Sequence, residues 1–312
     1  MTVAVSLLIG AALMGWLAPA VLARRVVNGG DPLVAVVAWL TSAAAVALTT
    51  LGGVVLLLLP NHGFGETVLA ALDNCWSSVR HGTPPSVEAI SGVVGAVLLF
   101  GLSVRLVLGA VGSGRRRARR RADHLAVLRV AARRDGGTLW LEHDEPLAFS
   151  LTGRPGVVVA TDGLAKKLTG AQVDAVLAHE RAHLTGRHHL IVAVGEAMAG
   201  AFPFLPLFKL APGMLRELVE LVADAAAVRE CGADAVRSAL LKVSRHGAPG
   251  TALAMSGTSM DVRVERLLDG PAPTSRRRQL FSCGLAGLTA MAVPVLVAAG
   301  SMFVVVTMAC LT

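Results

Sequence analysis

Charge is scarce in this chain. Of its 312 residues only 16% are charged, 54% are hydrophobic, 4% are aromatic and none is tyrosine. That composition does not suit a wholly solvated protein, and the length suits one domain beside a membrane region. Cysteine is scarce too. Cys75, Cys231, Cys283 and Cys310 are the full complement. No two have the Cys-x-x-Cys spacing of a thiolate metal site, and nothing in their spacing supports a disulfide, so single structural cysteines are expected. Lysine and arginine are missing ahead of Arg24. An exported leader carries its positive charge before its apolar run, whereas Arg24-Arg25 follow it, so the first segment is expected to be a retained span.

Long apolar runs are what the chain has instead. A helix needs roughly 20 apolar residues to cross a bilayer. Val3–Ala23, Leu33–Leu59, Val87–Val111 and Leu280–Met308 all qualify. The net charge of +8 does not point to nucleic acid once the charge is located: Arg24-Arg25, the arginines within Arg115–Arg121 and Arg276–Arg278 amount to eleven, each group abutting an apolar run. Arginine flanking spans marks cytoplasmic loops and can touch anionic lipid. The Asn61–Ser86 loop sets only Arg80 against Glu66 and Asp73, which suits the outside. The four spans then agree on one topology: both termini outside, and the large Arg115–Arg278 segment in the cytoplasm.

Within that segment, residue type and spacing together specify a reaction at His179-Glu180-Arg181-Ala182-His183. Residues four apart share a helix face, so two imidazoles can converge on one Zn²⁺. Glu180, one step around the helix, is placed to take a proton from a water held there. Val173, Val176 and Leu177 give Ala171–Thr185 an apolar face, and Thr169-Gly170 a start signal. Ahead of it, Thr138–Glu142, Ala148–Leu151 and Val157–Ala160 read as short strands, with a turn at Gly153-Arg154-Pro155-Gly156. A free strand edge beside a zinc helix can hold an extended peptide by main-chain hydrogen bonds.

A catalytic zinc needs a third protein ligand, and two candidates are present. Gly186 and His189 complete His-Glu-x-x-His-x-x-Gly-x-x-His, in which a glycine turns the chain so that a third histidine reaches the metal; Met255 or Met260 could then supply a Met-turn. Alternatively, the run from Arg216 to Asp224 reads as a second helix presenting Glu220, with Asp224 one turn later to orient a ligand histidine.

The residues Ala148-Phe149-Ser150-Leu151-Thr152-Gly153, Val157–Gly163, Val176–Leu184, Arg187-His188-His189 and Val264-Glu265-Arg266-Leu267-Leu268 resemble the BlaR/MecR-type membrane metallopeptidases over about Ala122–Leu268. The resemblance implies that Glu220 is the third ligand, from a Glu-x-x-x-Asp motif, and that His189 need not be one; His188 and His189 read as two polar residues at a helix end. HtpX-type and CAAX-protease-type enzymes share the plan. However, HtpX-type chains place two spans between the zinc helix and the carboxylate helix, and only 36 residues separate His183 from Glu220 here. The apolar stretch Leu190–Leu210 carries Glu196, Pro203, Pro206 and Lys209, and is expected to pack on the domain or dip into the membrane surface. Transducers of the family continue after the fourth span into a penicillin-binding domain. This sequence ends at Thr312 with no Ser-x-x-Lys motif in an outer segment, so no such sensor is expected.

The expected protein is mainly α: a three-span membrane region (1–114), a cytoplasmic α+β zinc metallopeptidase domain of Glu-zincin type with a small β-sheet (115–278), and a C-terminal span (279–312). Its expected site is Glu180 as base, His179, His183 and Glu220 on one zinc, and Asp224 behind them. Its expected partners are the lipid bilayer and a peptide or protein substrate, by resemblance a BlaI-type repressor or the enzyme itself. Housekeeping proteolysis of the HtpX kind and a non-proteolytic zinc scaffold are the rival readings.

Overall fold

The computed structural model describes residues 2–27, 29–58, scattered positions between 93 and 112, 132–135, 137–153, 155–245, 257–269 and 276–311. Two long helices come first, α1 (Thr2–Val27) and α2 (Pro32–Leu58). Two polar side chains of α2 are satisfied within the helix, as an apolar setting requires: Thr41 and Thr50 donate to the carbonyls of Val37 and Val46 at 2.8 and 2.7 Å. The last helix, α9 (Arg276–Leu311), packs beside both. Among the described residues these three contain stretches long and apolar enough to cross a membrane, at Ala4–Arg24, Pro32–Leu56 and Arg277–Val297. The expected third span, Val87–Val111, lies mostly outside the described residues, as do the Arg115–Arg121 run and the Asn61–Ser86 loop.

Between these helices stands a four-stranded sheet, β1 (Ala132–Asp135), β2 (Thr138–Leu141), β3 (Ala148–Leu151) and β4 (Val157–Thr161), in the order β1-β2-β4-β3. β2 and β4 run parallel; both outer pairs are antiparallel. β4 is the buried centre, with Val159 and Ala160 wholly enclosed, and β3 is an edge. The three strands expected from the sequence are present within a residue. β1 was not expected, because Ala-Arg-Arg-Asp offers no apolar alternation.

Helices α3 (Asp162–Lys167), α4 (Gly170–Thr185), α5 (His188–Ala201), α6 (Pro206–Cys231), α7 (Ala233–Arg245) and α8 (Gly257–Asp269) follow among the described residues. Two apolar cores result. One joins α4, α6, α7 and α8 to the sheet through Leu164, Leu177, Ala227, Val236 and Leu267. The other joins α5 and the first half of α6 to the long helices through Trp39, Val46, Phe202, Leu207, Phe208 and Leu215. α6 runs through both cores.

Candidate metal centre

α4 begins at Thr169, whose backbone N–H donates to Gln172 Oε1 at 3.1 Å, half of a capping box. Three turns on, His179 and His183 point the same way, with their Nε2 atoms 3.1 Å apart. α6 crosses opposite and brings Glu220 to both: Oε2 lies 3.4 Å from His179 Nε2, and Oε1 lies 3.4 Å from His183 Nε2. One donor atom from each of the three falls within 4.8 Å of the others.

Each of these residues is held from behind. Asp224, one turn beyond Glu220 and buried, sits 2.9 Å from His179 Nδ1. A carboxylate accepts only, so Nδ1 donates to Asp224, and Nε2 faces Glu220 and His183. His183 Nδ1 is 2.9 Å from Nδ1 of His188, which is buried rather than solvated at a helix end. Arg263, on α8 and 5% exposed, donates to Asp224 from Nε and Nη2 at 2.6 and 2.7 Å, and its Nη1 lies 3.3 Å from Glu220.

His189 points elsewhere and is exposed. Gly186 has φ −76°, an ordinary helical value, so it does not supply the unusual turn of the three-histidine pattern. The left-handed residue is Arg187, at φ 49°. Glycine is needed at 186 for space: a Cβ there would collide with the His188 ring. Met260 lies within helix α8, and Met255 lies outside the described residues.

Burial dominates the electrostatics and is offset unevenly. It disfavours protonation of His179, but hydrogen bonds to Asp224 and Glu220 outweigh it and raise the pKa to about 10. His183 and His188, also penalised by burial and less well paired, fall to about 4. Burial pushes Asp224 up, yet His179 and Arg263 bring it down to about 2, and Glu220 is likewise held low by His179 and Arg263 against its burial. Glu180 goes the other way. Burial lifts it to about 7, against the pull of His179 and of hydrogen bonds from the Ser150 hydroxyl and backbone.

This donor set fits zinc. Two imidazole nitrogens and one carboxylate are the ligands of many catalytic zinc sites. Zinc–nitrogen bonds of 2.0–2.1 Å arranged tetrahedrally separate neighbouring ligand atoms by about 3.3 Å, which matches the spacing of the three side chains. The same negative surroundings that favour a proton on His179 favour a cation.

Sequence reasoning missed three residues of this cluster. His188 reads as one of two polar histidines at a helix end, Ser150 as an ordinary strand residue, and Arg263 is not singled out at all. Arg263 and Ser150 meet the site only through the tertiary fold, and His188 only through the turn at Arg187.

Residues 115–246 match the model of peptidase family M48. The chain is also similar to a protein described as a protease HtpX homolog from Acaryochloris marina (strain MBIC 11017), 42% identical over 57 residues. That match covers 17% of this chain and spans about a fifth of the relative, 20% of its length. No solved structure matches. With the long apolar helices, these similarities support a membrane-type metallopeptidase.

Proposed function

We propose that the chain is an integral membrane zinc endopeptidase whose metal is held by His179, His183 and Glu220. The observation that carries this is the convergence of those side chains beside a half-buried glutamate and a sheet edge. Bound zinc would polarise the scissile carbonyl and make the attacking water more acidic. The remaining work falls to the chain's own residues. Glu180 accepts the water's proton and returns it to the leaving amine, and a base whose pKa lies near neutrality serves both directions. Ser150 holds the Glu180 carboxylate from β3. The open edge of β3 is where an extended peptide would pair, next to α4. Asp224, with Arg263 behind it, fixes the His179 ring, and His188 fixes the His183 ring.

The finer reading is regulatory proteolysis of the BlaR/MecR type, with the catalytic domain in the cytoplasm and a BlaI-type repressor, or the enzyme itself, as substrate. It rests on the quoted sequence resemblance and the arginine map. A second reading, removal of damaged membrane proteins, takes its motive from the short similarity to a protease HtpX homolog, which does not set it above the first. Proteomics of native membranes from cells carrying wild type or Glu180→Ala tests all of this. The variant should keep its zinc and lose cleavage by about 10²–10⁴-fold, the usual contribution of a general base. Undiminished cleavage overturns the mechanism. Products confined to one repressor support the regulatory reading, and products from many membrane proteins support the other.

A further inference from the structure

The turn between α5 and α6 presents Phe204 at 69% exposure, with Leu210 one turn into α6 and Val194 two turns back along α5 exposed as well, at 49% and 45%. In a water-soluble domain such exposed apolar side chains would be costly. The turn is unusual in a second way, because its neighbouring residues pack against α1 and α2 two turns or more inside their domain-facing ends. A Cβ on Gly15 would lie 3.1 Å from Leu205, and Trp39 Nε1 donates to the Leu207 carbonyl at 3.2 Å.

Those contacts set a depth. The ends of α1 and α2 that face the domain are marked by exposed Arg24 and by the connecting loop, where Gly30 accepts from Arg266 at 3.0 Å and Asp31 from Gln279 at 2.9 Å. Gly15 is nine residues from Arg24, and Trp39 eight from Asp31. At 1.5 Å per residue these are about 13 and 12 Å. Two helices therefore give the same answer, and the hydrocarbon core is about 30 Å thick in all.

We propose that the α5–α6 hairpin is re-entrant: residues 201–210 enter the bilayer beside α1 and α2, and Phe204, Val194 and Leu210 meet acyl chains. The backbone is equipped for this. Amides at the tip bond internally, Phe202 to Met198, Leu205 to Phe202, and Phe208 and Lys209 to Leu205. The carbonyl of Leu207 takes the Trp39 indole, and that of Gly200 takes Arg105 Nε at 2.9 Å, from a segment itself read as a span. Irregular backbone at membrane depth needs such partners. The charged residues fit as well. Glu196 pairs with Arg216 at 2.5 Å, nine residues up α6 from Leu207 and so back near the surface. Lys209 is exposed and can extend its stem toward the headgroups. The proposal rests on α1 and α2 being spans and is independent of the peptidase reading.

The test uses the full chain in phosphatidylcholine vesicles, with its four cysteines replaced by serine and one cysteine at 204, 17 or 234 carrying the fluorophore NBD. A probe at Phe204→Cys should be quenched at least twofold more by acyl-chain nitroxide lipids than by headgroup nitroxides, and barely by iodide. Leu17→Cys on α1 should behave alike, and Asp234→Cys at the start of α7 should be quenched by iodide alone. Equal iodide quenching at 204 and 234 overturns the proposal, as does stronger headgroup quenching at 204. Iodide access at 17 removes the spans and the proposal with them. Should the cysteine-free chain not fold, benzoylphenylalanine at 204 in the native chain should cross-link phospholipid as it does at 17. Cross-linking at 17 but not at 204 overturns the proposal.

Discussion

Gly186 and His188 act as one unit: the glycine is small so that the imidazole can reach His183. Gly186→Ala and His188→Ala should each weaken zinc binding by about 10–100-fold, the usual cost of losing an outer partner of a ligand histidine. Because they remove the same contact, the double variant should be no weaker than either single one, whereas independent roles would add. A competitive zinc chelator titration reads both. Glu220→Ala should lower bound zinc and His189→Ala should not, by metal analysis of purified protein; the reverse would restore the three-histidine reading. The local part of this site was legible in the sequence, since the His179–His183 spacing is a property of one helix. Glu220 required a choice that spacing alone left open. His188 was misjudged because its burial follows from the left-handed turn at Arg187, which no sequence pattern announces.

At the scale of elements, the cluster is closed by α8, the helix whose importance was least visible. Its sequence is amphipathic and ordinary, yet Arg263 is the cation that holds Asp224 and Glu220, 39 residues upstream in the case of Asp224. Removing one partner of a buried charge pair costs about 3–5 kcal/mol because the other is left unpaired. Arg263→Ala should therefore lower the unfolding midpoint in detergent markedly. Arg263→Lys should recover only part of it, since a point charge cannot make the two parallel bonds to Asp224. Equal stability of all three forms would show that α8 is dispensable. The strands followed the reading closely where apolar residues alternate, and β1 escaped it where arginines replace them. The stretch 190–210 was expected to lie on the domain or at the membrane surface. It forms the facing parts of α5 and α6, and its apolar face was legible while its packing on the long helices was not.

For the whole molecule, the arginine map remains the argument for sidedness. It expects the segment between the third and last spans in the cytoplasm and Thr312 outside. Alkaline phosphatase, active only after export, should be active when fused after Thr312 and inactive when inserted at position 250. Fluorescent protein fusions should give the opposite pattern. Activity at 250 would invert the topology and remove a cytoplasmic repressor from the possible substrates. Three of the four expected spans coincide with long apolar helices among the described residues, because a span announces itself over some 20 residues; the expected span Val87–Val111 lies mostly outside them. The way α6 links the membrane core to the metal cluster was not, because it depends on which face of one helix meets which neighbours.

The unequal pull on His179 and Glu180 has a consequence for stoichiometry. Without a metal, the buried cluster balances Glu220 and Asp224 with Arg263 and a proton on His179, and Glu180 holds a second proton up to about pH 7. A dication arriving at the same donors displaces the first proton and, by its charge, favours release of the second. Loading the site is therefore an exchange of protons for metal. Its apparent affinity rises with pH, about tenfold per unit for each proton released, so acidification works against loading.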